Sequence, residues 1–286
     1  MFPLGFMDRD RGGENIRPAA VAGAFYPGSR AAIRQMVQRY LQMAEPAWEG
    51  PLRAIVVPHA GLIYSGWVAA YAYALLKGRP FSTVLMVGPA HYATPYRGFA
   101  LYTHGAFETP LGRIPVETGA AEALLRSGDE FAHRPENHRH EHSLEVQLPF
   151  LQEMLSGLRI TPVLMTSQHA SRCHRLADAI ATVWNESTLL LASTDLSHHY
   201  PKEVAARMDG RVCRLIDAFD LEGLEAALAS GDVEMCGGGP ALAVMLAARK
   251  LGCTKARVLQ HADSSDSSDG HGDTSDVVGY LAAAVG

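Results

Sequence analysis

Short apolar runs rich in β-branched residues alternate along this chain with longer stretches of helical periodicity. That alternation confines the fold to βα units around a mainly parallel sheet. Arg53 to Pro58 (RAIVVP) predicts a short buried strand, followed by GLIYSG and a helix from about Trp67 to Lys77. Further strands are expected at Thr83 to Val87, Ile160 to Met165 and Thr188 to Ser193, the last apolar throughout and punctuated at both ends. Phe99 to Glu117 alternates and contains Pro and Gly, which predicts a hairpin or β-arm laid beside the sheet. Helices are expected at about Gly119 to Ser127, Ser143 to Leu155, Ser171 to Glu186, Pro201 to Phe219, Leu221 to Ser230 and Gly239 to Leu251. Strands at Ala256 to His261 and Val277 to Val285 close the chain. The Asp/Ser stretch between them, Asp263 to Asp276, is too polar to pack and reads as a flap.

A length of 286 residues suits two domains or one large one. No fixed-period repeat and no composition break marks a linker. The expectation is therefore a single α/β domain with a mainly parallel or mixed central sheet flanked by helices. Residues 1–16 read as a flexible N-terminal extension and residues 17–286 as the domain.

Apolar residues make up 48% and charged ones 19%, a balance that excludes intrinsic disorder for most of the chain. A net charge of −5, with no basic run, argues against a nucleic-acid or anionic-membrane binder. No apolar stretch approaches the length of a membrane span, and the first residues lack the basic start and apolar core of a signal peptide. The four cysteines form no CxxC, which points to the cytoplasm. Cys173, Cys213 and Cys253, in helical stretches, read as small buried hydrophobes.

Ligands of open α/β sheets bind beyond the carboxyl ends of the strands. RAIVVP is followed at once by His59, TVLMV after three residues by His91, and TLLLAS by Thr194-Asp195 with His198 and His199 close behind. Three strands thus deliver acid–base or metal-capable side chains to one edge. The plainer alternatives are a helix cap at Asp195 and a solvated pair at His198 and His199. Cys236, in EMCGGGPA before a helix, is expected to have a lowered thiol pKa and to serve as metal ligand or nucleophile. In ENHRHEHSLEVQLPF, Ser143 is expected to cap a helix, with Glu141 or His142 reaching inward and the other histidines mostly solvated. No HExxH is present, so a zincin reading fails.

Eight motifs occur in order: RPAAVAGAFYP from Arg17, PHAGLIYSG from Pro58, GPAHY from Gly88, ETPLGRIPV from Glu108, EHSLEVQLPF from Glu141, STDLSHH from Ser193, CGGGP from Cys236 and VVGY from Val277. This pattern resembles the Memo family, named for mediating ErbB2-driven cell motility in animals; its prokaryotic members are protein B of the AmmeMemoRadiSam system. The resemblance implies an α/β fold related to class III, LigB-type extradiol dioxygenases. It implies a metal site formed by His59, His91 and Cys236, with Asp195 and His198 beside it. It also implies a radical SAM protein and an AMMECR-type protein as partners. The flap is longer here than in the family pattern, and His261 stands where the family usually has an aromatic residue.

Two imidazoles and a thiolate suit Fe(II), Cu or Zn, and suit Mg or Ca poorly. The leading expectation is a metal-dependent oxidoreductase, dioxygenase-like, holding iron or copper. His198 would act as general acid/base, Asp195 would orient it, and His142 completes the candidate catalytic set. Alternatives are a non-catalytic module binding a peptide or small molecule in the same cleft, and a zinc-dependent hydrolase.

Overall fold

The computed structural model describes residues 15–267 and 272–286. Most of the expected N-terminal extension, residues 1–14, and four residues of the expected flap, 268–271, lie outside the described residues. The chain opens with β1 (Ile16–Arg17), α1 (Arg30–Met43), β2 (Ala54–Val57), α2 (Leu62–Ala74), β3 (Thr83–Pro89) and β4 (Phe99–Leu101). It continues with β5 (Ala106–Thr109), β6 (Gly112–Pro115), α3 (Thr118–Leu125), β7 (Phe131–His133), α4 (Pro135–His138) and α5 (Leu148–Met154). Next come β8 (Arg159–Met165), α6 (Ala170–Val183), β9 (Thr188–Ser193), β10 (His198–Tyr200) and α7 (Lys202–Asp217). The chain closes with α8 (Leu221–Ser230), α9 (Gly238–Lys250), β11 (Ala256–Asp263) and β12 (Val277–Val285).

The main sheet runs β10-β12-β2-β9-β3-β8-β4-β7, with β11 on β12. Its centre, β2, β9, β3 and β8, is parallel, while β12 and β4 flank it antiparallel. The central strands are buried on both faces, which explains their unbroken apolar sequences. Ile55, Val57, Val84, Met86, Leu189 and Leu191 pack on one side with α1, α2 and α5. Their neighbours Ala54, Val56, Leu85, Val87, Leu190 and Ala192 pack on the other with α6 to α9. Helix α9 lies deepest, with Gly238 to Ala248 all buried, so it is apolar all round. This is the single α/β domain with a helix-flanked mixed sheet that the sequence predicts.

The expected β-arm divides in two. Its first strand, β4, joins the main sheet between β8 and β7, while β5 and β6 form a hairpin that pairs with β1 in a separate three-stranded sheet. Ile16, placed by the sequence in the extension, pairs with Ala106. The expected helix from Ser143 is broken: residues Glu145–Gln147 form a 3₁₀ turn and α5 begins at Leu148, with Pro149 in its first turn. Proline has no N–H for a helix continuing from upstream, so a new helix starts there. Ser143 caps nothing; its hydroxyl donates to Pro89 O at 2.9 Å. The described ends of the polar stretch are tethered: the Lys202 ammonium lies 2.6 Å from Asp266 and 3.2 Å from Asp263, and His199 Nδ1 lies 2.9 Å from Asp276.

Candidate metal centre

Strands β2, β9 and β3 are adjacent, and their carboxyl ends lie level, with Val57 paired to Ser193 and Val87 to Ala192. His59 therefore emerges on one side of Asp195 and His91 follows on the other. Their ring centroids lie 5.1 Å apart, edge to face. Cys236 arrives from the turn before α9, placing its Sγ 3.1 Å from His59 Nε2. The ligand atoms of His59, His91 and Cys236 all lie within 4.8 Å of one another. So do those of Asp195, His198 and Cys236, and those of His91, Glu141 and His142. The structure thus gathers seven residues, the six candidate ligand and catalytic residues of the sequence and Glu141.

A glycine explains how the sulfur gets so close. A Cβ on Gly237 would overlap the Ser193 carbonyl and meet Thr194 Cβ at 2.8 Å. The bare backbone instead lets Gly237 N donate to Thr194 Oγ1 at 2.9 Å, while Gln168 Nε2 donates to Cys236 O at 2.8 Å.

Each imidazole has Nδ1 engaged behind it. His91 Nδ1 lies 2.9 Å from Glu141 Oε1, and the His91 amide donates to Glu141 Oε2 at 2.6 Å. Burial, the largest influence on Glu141, raises its pKa; hydrogen bonding and charge from His91 and the Ser143 amide overcome it and hold the carboxyl at about 2. Carboxylate–imidazole pairs of this kind fix ring orientation in metal sites. His59 Nδ1 lies 2.8 Å from Ser193 Oγ. Burial, and then the charge of His91, push the His59 ring down to about 3, so it is neutral at pH 7. A neutral imidazole is the form that ligates a metal.

Three sequence expectations change here. Cys236 does precede a helix, but its thiol pKa is raised, first by burial and then by the Asp195 carboxylate. The exposed amides of the helix start do not outweigh loss of water. Asp195 caps no helix and its Oδ1 does not orient His198: it accepts from the amides of His59 at 2.7 Å and Ala60 at 3.3 Å. His198 is held instead by the Leu196 carbonyl, 2.8 Å from its Nδ1. His138, expected among solvated histidines, is buried, with Nε2 donating to Ala100 O at 3.0 Å; His140 is exposed.

His142 stacks on His91 with centroids 4.4 Å apart, and Phe25 lies 4.6 Å from it on another side. Burial, then the charge of His59, lower its pKa to about 4. The loop bearing Glu141 and His142 is held by Arg17, whose guanidinium donates to the carbonyls of His138 at 2.8 Å and Glu141 at 2.7 Å and pairs with buried Glu145. Glu145 also accepts from the Ala20 and Val21 amides and the Tyr26 hydroxyl. Sequence reasoning missed this clamp, and it missed Ser193 and Gln147 as supports. The available signal was a run of polar residues, Ser143, Glu145 and Gln147, inside an otherwise apolar segment.

Fold and cluster together define an α/β protein whose sheet edge gathers nitrogen and sulfur donors suited to a transition metal. The family model for Memo-like proteins matches residues 17–284, and the chain belongs to the Memo family. A MEMO1 family protein of Methanothermobacter thermautotrophicus is 36% identical over 282 residues, covering 93% of this chain and 98% of that protein. One from Methanopyrus kandleri is 36% identical over 280 residues, covering 93% and 97%. One from Thermotoga neapolitana is 36% identical over 282 residues, covering 94% and 99%. Among the described residues no helix is long and apolar enough to cross a membrane.

Proposed function

We propose that this Memo-family protein binds one transition-metal ion through His59 Nε2, His91 Nε2 and Cys236 Sγ, and is a metal-dependent oxidoreductase acting on a small molecule or peptide. The observation that carries the reading is the convergence of these three donors within 4.8 Å at the ends of β2 and β3 and the start of α9. Three protein ligands leave coordination positions open, the mark of a catalytic rather than a structural site. The donor set fits iron or copper, with zinc the redox-inert competitor.

The bound ion would supply electron transfer and Lewis acidity; the chain supplies the rest. Glu141 and Ser193 fix the ring orientations. Asp195 fixes the His59 backbone and keeps its Oδ2 within 3.9 Å of His59 Nε2. His198, with Nδ1 committed to Leu196 O, has Nε2 free to give or take a proton, and His142 offers a second imidazole across the site. The unpaired buried thiols Cys173 and Cys253 suit a reducing compartment, which supports the cytoplasm.

Elemental analysis of protein purified without oxygen, beside Cys236→Ser and His59→Ala, tests the reading. About one equivalent of iron or copper in the parent chain and little in either variant is expected. Zinc alone would favour hydrolysis, and full metal content in Cys236→Ser would overturn the ligand assignment.

A further inference from the structure

We infer that Ser193 is a positioning residue that locks His59 in the tautomer with its proton on Nδ1, so that the Nε2 lone pair faces Cys236 and the ion. The inference rests on the metal-centre reading, but the tautomer is derived without it. Ser193 Oγ has one proton and three polar neighbours. The first, Ser143 O, lies 2.6 Å away and carries no hydrogen. Two oxygens hold that separation only with a proton between them, so the Ser193 hydroxyl donates there.

The second neighbour, Gln147 Nε2 at 3.0 Å, is a donor. The orientation of that amide is fixed from outside. Its nitrogen faces two carbonyls, Pro58 O at 2.9 Å and Ser143 O at 3.3 Å, and its oxygen accepts from Tyr73 OH at 2.6 Å. Tyr73 is itself held by stacking on Phe150, with centroids 4.7 Å apart.

With its one proton given to Ser143, Ser193 can only accept from the third neighbour, His59 Nδ1 at 2.8 Å. Nδ1 therefore bears the imidazole proton, and the lone pair sits on Nε2, the atom 3.1 Å from Cys236 Sγ. Tyr73, Gln147, Ser193 and His59 are all buried, so water does not stand in for any missing partner. The two imidazoles of the site are held at Nδ1 by different groups, His91 by a carboxylate and His59 by an uncharged, buried relay.

Long-range proton–nitrogen NMR on the metal-free full chain at pH 7 reads the tautomer directly, with His59 assigned by its loss in His59→Asn. The expected parent spectrum has the Nδ1–H form alone, and Ser193→Ala populates both forms. Co(II) is the metal probe: its Kd rises about 10- to 100-fold in Ser193→Ala, as for other lost supports of metal-binding histidines. An Nε2–H or mixed parent spectrum overturns the inference, and this requires no variant to fold. An unchanged tautomer in Ser193→Ala overturns the role of Ser193. A parent chain with the Nδ1–H form that takes up no Co(II) contradicts the metal reading instead.

Discussion

Glu141 accepts three hydrogen bonds around one imidazole, from the His91 amide, the His91 ring and the Ser143 amide. No neutral residue of the same shape can do this, because an amide presents one acceptor and one donor end. Glu141→Gln is therefore expected to weaken metal binding about 10- to 100-fold, the usual cost of losing such a partner. The check is a Co(II) titration, and affinity equal to that of the parent chain would remove Glu141 from the site. At this scale the sequence was informative about donors and poor on supports. His59, His91 and Asp195 announced themselves by position after strands. Ser193 looked like the end of a core strand, and Gln147 like a polar interruption of a helix, because their partners lie 134 and 46 residues away.

Between elements, the Cys236 turn lies tight against the end of β9, where Gly237 meets Ser193 and Thr194. Gly237→Ala forces the turn back from the strand. A loss of about 1–3 kcal/mol is expected from this overpacking, with metal affinity falling as Cys236 Sγ leaves His59. Denaturant unfolding and Co(II) titration measured on the same variant check both, and parent-like values would mean the turn has room to spare. The core strands were legible because burial on both faces demands continuous apolar sequence. Helix α1 was not anticipated: its buried residues are Ile33 and Val37 alone, one turn apart, a thin periodic signal. Helix α2 starts five residues earlier than expected because Leu62 N donates to Phe25 O at 2.7 Å. That cap comes from a distant segment, which local pattern does not reveal.

The stability of the whole molecule should depend on acid in a definite direction. Burial pushes His138 from an ordinary 6.5 down to about 3, against the opposing hydrogen bond to Ala100, and His59 and His142 are lowered too. Between these values the unfolded chain binds protons that the folded chain refuses. Stability is therefore full above about pH 6.5 and is lost as pH falls toward 3. Urea midpoints measured from pH 7.5 to 4 should decline for the parent chain and decline less for His138→Gln, where an amide can still donate to Ala100 O. Identical declines would place the acid sensitivity elsewhere. The overall architecture was readable from the strand and helix alternation. The burial of His138 was not, since it lies in a segment of charged and polar neighbours and depends on Arg17 drawing that loop inward.

X-ray absorption at the edge of the bound metal tests the central claim most directly, because it counts the atoms that His59, His91 and Cys236 contribute. The expected spectrum of the loaded parent chain contains one sulfur at about 2.3 Å and two imidazole nitrogens at about 2.0–2.1 Å, and the sulfur is absent in Cys236→Ser. A parent spectrum with only nitrogen and oxygen neighbours would contradict it.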